Sequence, residues 1–214
     1  MATHPQITFP VTEADRAGQL AAAAYDLLDE HGLEGLTIRA VLARTGLARR
    51  AFYECFAGKD DLVLAVFAQT LKAAAAYFRA AAGKLPRPLD RLRAIVEGIV
   101  LGMVHYEQAG FGQSERRSAA LSREHLRLAE SRPEELQKAL SPLLDLIAEQ
   151  VAAGIADGSI RQCDPALTAS LIYNLISTTT HSVLLAEEDA RPDEARREML
   201  SNALWDFCRR AIAA

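Results

Sequence analysis

The sequence predicts an all-α protein of about nine helices. Apolar residues return at intervals of three and four positions through most of its 214 residues, and alternating β-branched runs are rare. The chain is also rich in alanine, the residue with the highest helix propensity. Half of the residues are hydrophobic and 24% are charged, which is typical of a globular chain long enough for one or two domains.

The first helix is predicted over residues 12–31. Its buried face is expected to carry four apolar residues: Leu20, Ala24, Leu27 and Leu28. Gly32 follows at a position where helices commonly end with a glycine. Residues 1–11 lack the cationic and apolar segments of a signal peptide, so we expect a disordered tail there.

Two short helices joined by a glycine turn follow. Thr37 is expected to cap the first of them, and Gly46 supplies the positive φ that a sharp turn requires. In the second helix Phe52 and Phe56 are four positions apart and are expected to face the core. The outward face is then formed by Arg49, Arg50, Tyr53 and Glu54. This outline predicts a helix-turn-helix.

The same stretch has an excess of positive charge. Residues 37–59 hold five basic residues and one acid, a local formal charge of +4 in a chain whose formal net charge is −4. The basic residues are Arg39, Arg44, Arg49, Arg50 and Lys59. A local excess of this kind favours a phosphate-binding surface.

Residues 37–62, TIRAVLARTGLARRAFYECFAGKDDL, resemble the N-terminal signature of the TetR (tetracycline-repressor-like) family of bacterial transcription regulators. The resemblance implies that this module binds double-stranded DNA at a near-palindromic operator. Base contacts are expected from Arg49, Arg50 and Tyr53, and phosphate contacts from Thr37 and Lys59. Arg39 and Arg44 are expected to add further attraction that salt screens. Arg50, Ala51 and the pair Glu54-Cys55 depart from the residues common in the family, so the base preference does not follow from the resemblance.

Two residues of the second short helix allow more than one interpretation. Glu54 is either a base-reading side chain that accepts from a cytosine amino group or a solvated surface glutamate. Cys55 is either a packed thiol or a redox-sensitive one. The three cysteines form no C-x-x-C pair, so neither a disulfide framework nor a zinc site is expected.

Six more helices are predicted beyond this point. A long fourth helix, residues 58–84, is expected to connect the DNA-binding domain, residues 12–57, to a second domain at residues 85–214. Residues 114–130 are strongly charged with few apolar positions, which predicts a surface helix. Pro142 is expected either to kink the next helix or to restart it behind a Ser141 cap.

The resemblance also implies roles for the second domain, namely homodimerisation and the binding of a small-molecule effector. The dimer interface is expected at Leu171, Leu175, Leu204 and Phe207, although each of these residues is equally compatible with the core of its own chain. The effector pocket is expected to be lined by Met103, His105, Tyr106, Phe111, Leu144, Ile147, Tyr173, Asn174 and His181. Most such residues at helical spacing belong to an ordinary core.

An all-α enzyme is the competing class. A di-metal carboxylate bundle would need Glu-x-x-His pairs, and none of the five histidines follows a glutamate at that spacing. Hydrolase, phosphate-loop and zinc-protease motifs are also missing from the sequence. We therefore predict a cytoplasmic regulator without cofactor, metal or membrane span. A helix-turn-helix regulator without a small-molecule effector stays open as an alternative.

Overall fold

The computed structural model describes residues 16–101, 115–186 and 193–214. These residues form nine helices and no strand beyond an isolated antiparallel bridge between Ile160 and Ala213. The helices are α1 (Arg16–Gly35), α2 (Ile38–Thr45), α3 (Arg49–Cys55), α4 (Lys59–Ala82), α5 (Pro88–Val100), α6 (Glu115–Ser131), α7 (Pro133–Ala156), α8 (Pro165–Ala186) and α9 (Glu194–Ile212). The predicted all-α fold is confirmed.

The described residues pack as two compact units. The first unit contains residues 16–70 and 115–139, and in it α1 contacts α2, α3 and α6. Its fully buried side chains include Leu20, Leu28, Leu36, Phe52, Leu62 and Leu128. α6 thus packs in the same unit as the helix-turn-helix. The domain boundaries expected after residues 57 and 84 stay predictions.

α6 is a core helix of the first unit, so its predicted position on the surface was wrong. Its buried side consists mainly of small and polar residues: Ala119, Ala120, Leu121, Ser122, Glu124, His125 and Leu128. A count of large apolar residues does not detect such a face. Leu126, a large apolar residue of the same helix, is instead 47% exposed.

The second unit contains residues 71–101, 140–186 and 193–214. Within it α5 contacts both α8 and α9. Its fully buried side chains include Leu92, Ile95, Leu146, Ile147 and Ile176. α7 continues through Pro142, so the sequence alternative of a second helix starting behind Ser141 does not occur.

Two helices, α4 and α7, are long and apolar enough to cross a membrane by length and composition alone. Each has 24 residues and a most apolar window of mean hydropathy 1.3. Core helices of soluble proteins pass the same test. Leu62 and Val66 of α4 and Ile147 and Val151 of α7 are buried, which is the pattern of core helices.

Candidate nucleic-acid interface

The first helix of the predicted motif begins at a threonine cap. Thr37 has extended backbone angles, φ −123° and ψ 153°, and its Oγ1 accepts a hydrogen bond from the Ala40 amide at 3.1 Å. The residue is exposed. Because the cap uses the hydroxyl only as an acceptor, its proton is free to be donated to a phosphate oxygen.

Gly46 makes the turn between the two helices. It has φ 69° and donates its amide to the Leu42 carbonyl, which closes α2 in the left-handed conformation that glycine adopts without steric cost. Phe52 of α3 is fully buried, and its ring lies 5.8 Å from that of Phe56. The predicted helix-turn-helix is therefore present, with the apolar side of α3 fixed in the core.

The opposite side of α3 is exposed and carries two side-chain pairs. Arg49 lies over the Tyr53 ring, with its guanidinium carbon 5.6 Å from the centroid, and its Nη2 donates to the Tyr53 hydroxyl at 3.3 Å. Arg50 donates from Nε to Glu54 Oε1 at 3.0 Å. Tyr53 is 47% exposed. This face thus presents cations and an aromatic ring, as predicted.

An acidic residue outside the helix-turn-helix neutralises part of the positive charge of the motif. Arg44 binds both carboxylate oxygens of Glu30, with the Nη1 contact at 2.8 Å, and this hydrogen bonding holds the pKa of Glu30 below its ordinary value. Among the described residues no carboxylate lies within ion-pair distance of Arg39 or Arg49, and both are exposed. These two residues are therefore better placed for DNA than Arg44.

Lys59, the first residue of α4, is half-buried. Its Nζ donates to the carbonyl of Leu33, in the segment that follows the non-helical Gly32 (φ 62°). The ammonium has three N–H donors, so two are left for a phosphate. Lys59 thus joins the end of α1 to the start of α4.

Acidic residues in the first turn of α4 bind arginines from later in the first unit. Asp61 accepts from Arg132 at 2.6 Å, which lowers the pKa of Asp61, and Asp60 accepts from Arg127 at 3.2 Å. Arg127 also pairs with Glu124, which is only 5% exposed. Local sequence does not reveal this network, because Asp60 and Asp61 are more than sixty positions from their arginine partners.

The predicted effector pocket is described only in part. Met103, His105, Tyr106 and Phe111 lie outside the described residues. Leu144, Ile147 and Tyr173 are buried, and burial raises the pKa of the Tyr173 hydroxyl. His181 is half-buried. Asn174 is exposed, three residues after Leu171 on α8, and its place in the pocket stays a prediction.

The predicted interface residues divide between surface and core. Leu171 and Phe207 are 62% and 64% exposed, and Leu175 is half-buried. Leu204 is only 7% exposed and belongs to the core of its own chain, so we no longer expect it at the interface. Leu167 of α8 and Met199 of α9 were not predicted at the interface, yet they are 59% and 68% exposed.

Two clefts lie on the surface of the second unit. One, of about 520 Å³, is lined by residues of α4 and α7 that include the ion pair between Arg79 and Glu149. The other, of about 580 Å³, is lined by Trp205, Asp206 and Arg209 of α9 and by residues near the start of α5. Neither is lined by residues of the predicted pocket. Within the described ranges no three His, Cys, Asp or Glu side chains group as a metal site.

Comparison with known proteins agrees with this geometry. Residues 20–66 match the family model described as bacterial regulatory proteins, tetR family. The chain is 38% identical over 89 residues to the HTH-type transcriptional regulator BetI of Stenotrophomonas maltophilia. That match spans 40% of this chain and 44% of the relative, which is less than half of either.

Solved structures extend the likeness to the whole fold. A putative TetR-family regulator from Mesorhizobium loti has a TM-score of 0.69 at 16% identity, covering 95% of this chain and 100% of that one. FadR from Bacillus subtilis, solved with stearoyl-CoA, has a TM-score of 0.69 at 15% identity, covering 89% and 96%. Residues 20–66 are therefore similar to the tetR family model, and the chain shares its fold with solved TetR-family regulators.

Proposed function

We propose that this protein is a homodimeric repressor that binds a near-palindromic operator through α3 and leaves it when a small-molecule effector binds the second unit. The observation that carries the proposal is the two-sided structure of α3. Phe52 is fully buried, whereas Arg49, Arg50 and Tyr53 are exposed. A short helix fixed by its apolar side, with cations on the other, is suited to the major groove.

The assignment of contacts follows from exposure and pairing. Arg49, Arg50 and Tyr53 read base edges, since they project from the exposed side of α3. Thr37 and Lys59 bind phosphates at the starts of α2 and α4, where backbone amides and the helix dipole also favour an anion. Arg39 adds salt-dependent attraction.

Dimerisation is supported by the exposed apolar residues of α8 and α9. Four of the six large hydrophobic side chains that are exposed in the described residues belong to these two helices: Leu167, Leu171, Met199 and Phe207. Leu175 lies one turn after Leu171 and continues the same side. Leu167, Leu171 and Leu175 follow one another at intervals of four residues on one side of α8, and adjoining exposed apolar side chains of this kind are typical of an interface. A two-fold dimer would place two copies of α3 on half-sites about 34–36 Å apart.

An effector site in the second unit is supported by buried polar groups. Thr180 and Ser201 are 8% and 2% exposed, and in the described part of the chain their hydroxyl oxygens have no hydrogen-bond partner. Tyr173, seven residues before Thr180 on α8, is also buried. Buried hydroxyl groups among apolar neighbours can orient a mainly apolar ligand. The FadR structure of the same fold holds stearoyl-CoA, so acyl-CoA compounds belong in the first screen.

Selection of DNA from a random-sequence duplex pool tests the proposal. The purified protein is expected to enrich an inverted repeat, because a two-fold dimer requires a two-fold site. That repeat then serves as the probe for a metabolite library, in which an effector is expected to weaken DNA binding by a coupling free energy. A dimeric, folded protein that enriches no sequence would contradict DNA readout. An operator that no metabolite releases would favour a regulator without an effector.

A further inference from the structure

Glu54 lies between two arginines on the proposed DNA-binding face. Its Oε1 accepts from Nε of Arg50 at 3.0 Å, and its Oε2 accepts from Nη1 of Arg16 at 3.0 Å. Arg50 is four residues earlier on α3, whereas Arg16 is the first residue of α1. One carboxylate therefore connects the recognition helix to the start of the first helix through both of its oxygens.

We propose that Glu54 is a positioning residue for sequence recognition, which is held by Arg16 and orients Arg50 toward DNA without reading a base itself. This inference rests on the proposed function of α3 in DNA binding. It replaces the two interpretations that the sequence allowed, a direct cytosine contact and a solvated surface acid. Both carboxylate oxygens are already occupied by arginine donors, which disfavours the first, and the second does not explain a bridge between two helices.

The geometry of Arg50 supports this role. Glu54 takes only the Nε donor, so the terminal Nη1 and Nη2 groups stay available for a bidentate contact to O6 and N7 of a guanine. The Arg50 side chain is 91% exposed, and without a partner it would sample many rotamers. A fixed rotamer loses less conformational entropy when it binds, which favours the correct base over the others.

The negative charge of Glu54 also favours specific over non-specific DNA binding. Glu54 reduces the positive potential of α3, so it weakens the attraction to phosphate that all DNA sequences share. Arg49 is held differently, over the neutral ring of Tyr53, and keeps its full attraction. Glu54 thus lowers affinity for random DNA while it improves the geometry of one base contact, and both effects raise the ratio of specific to non-specific binding.

A purely stabilising role is the alternative. The three side chains are 46% to 91% exposed, and ion pairs at such positions contribute little to folding. The Glu54→Gln variant is therefore expected to unfold at the temperature of the wild type. A clear fall in its unfolding temperature, with unchanged base preference, would show that Glu54 serves the fold and would overturn the proposal.

The test compares full-length wild type, Glu54→Gln and Glu130→Gln. Glu130 is an exposed acid on α6 of the first unit, so its variant has the same change of net charge away from α3. Each protein is used in selection from the random duplex pool, and its affinity is then measured for the enriched duplex and for a scrambled duplex. Glu54→Gln is expected to bind the scrambled duplex more tightly and to lose roughly tenfold in the specific-to-scrambled ratio, a value within the range for one good base contact. Glu130→Gln is expected to keep the wild-type ratio.

A double-mutant cycle with Arg50→Ala identifies the route of the effect. If Glu54 acts through Arg50, the double variant has the same base preference as Arg50→Ala alone. Additive losses at two different base pairs would mean that Glu54 reads a base directly and would overturn the proposal. A Glu54→Gln protein with an unchanged ratio would also overturn it while leaving the proposed function intact, whereas a wild type that enriches no sequence would contradict both.

Discussion

The exposed side of α8 and α9 gives a quantitative prediction for Leu171→Ala. Leu171 is 62% exposed, and complete burial of a leucine side chain is worth about 1.5–3 kcal/mol, so covering the exposed part is worth about 1–2 kcal/mol. A two-fold interface contains the residue twice. The two copies of Leu171 together would stabilise the dimer by about 2–4 kcal/mol. Alanine keeps the Cβ, so the variant is expected to lose the lower part of this range, about 2–3 kcal/mol. That loss raises the dimer dissociation constant roughly 30- to 150-fold.

Analytical ultracentrifugation over a range of protein concentrations measures this constant. Leu126→Ala is the matched control, because it removes the same atoms from a 47% exposed leucine on α6. The control is expected to dimerise like the wild type. If Leu171→Ala and Leu126→Ala give the same dissociation constant, the exposed face of α8 does not form the dimer and the argument from exposed apolar area is wrong. Leu204→Ala provides a further contrast, since a 7% exposed leucine should lower unfolding stability by about 2–5 kcal/mol.

Four further predictions concern single residues. Lys59→Ala is expected to weaken binding to all DNA sequences about equally and to reduce the salt dependence of log K by about one unit, whereas an unchanged slope removes Lys59 from the phosphate contacts. Arg49→Ala should cost about 1–3 kcal/mol and relax the preference at one base pair in a repeated selection; a uniform loss would make it a phosphate contact. Gly46→Ala places a side chain at φ 69° and should lower the unfolding free energy by about 1–2 kcal/mol, while Gly58→Ala, which has open space at the Cβ, serves as the control. Burial lowers the pKa of His125, so the unfolded chain takes up its proton at higher pH than the native chain does; stability should fall as the pH drops below about 6.5, less so in His125→Gln, and an equal fall in both proteins would contradict this.

The helix-turn-helix could be predicted because its determinants are local. The Thr37 cap, the Gly46 turn and the spacing of Phe52 and Phe56 each act within a few residues, and the structure confirms the cap, the turn and the burial of Phe52. The exposed cations of α3 follow from the same spacing. Local rules of this kind do not depend on how distant parts of the chain pack.

The electrostatic partners could not be predicted from the same stretch. Arg44 pairs with Glu30, and Glu54 pairs with Arg16, and both partners lie outside the motif. A charge count over residues 37–59 therefore includes Arg44 as a free cation and treats Glu54 as an isolated acid. Such pairs become visible only when the fold brings α1 beside the motif.

The interface residues show a different limit of periodicity. Leu204 and Phe207 are three positions apart on α9 and belong to one broad apolar stripe. Periodicity identifies the stripe but not which of its edges meets the core, so both residues were assigned to the interface. The structure buries Leu204 and exposes Phe207, and Met199 at the exposed edge was missed for the same reason.

The burial of α6 has a consequence for engineering. Ala119 and Ala120 are 0% and 1% exposed, so a larger side chain at either position would have to displace packed neighbours. Leu126 is a large apolar residue, yet it is 47% exposed and can be varied freely. A library that randomises α6 should therefore retain small residues at 119 and 120 and accept almost any residue at 126. In this helix, the positions that a hydropathy profile would leave open to variation are the ones that packing restricts most.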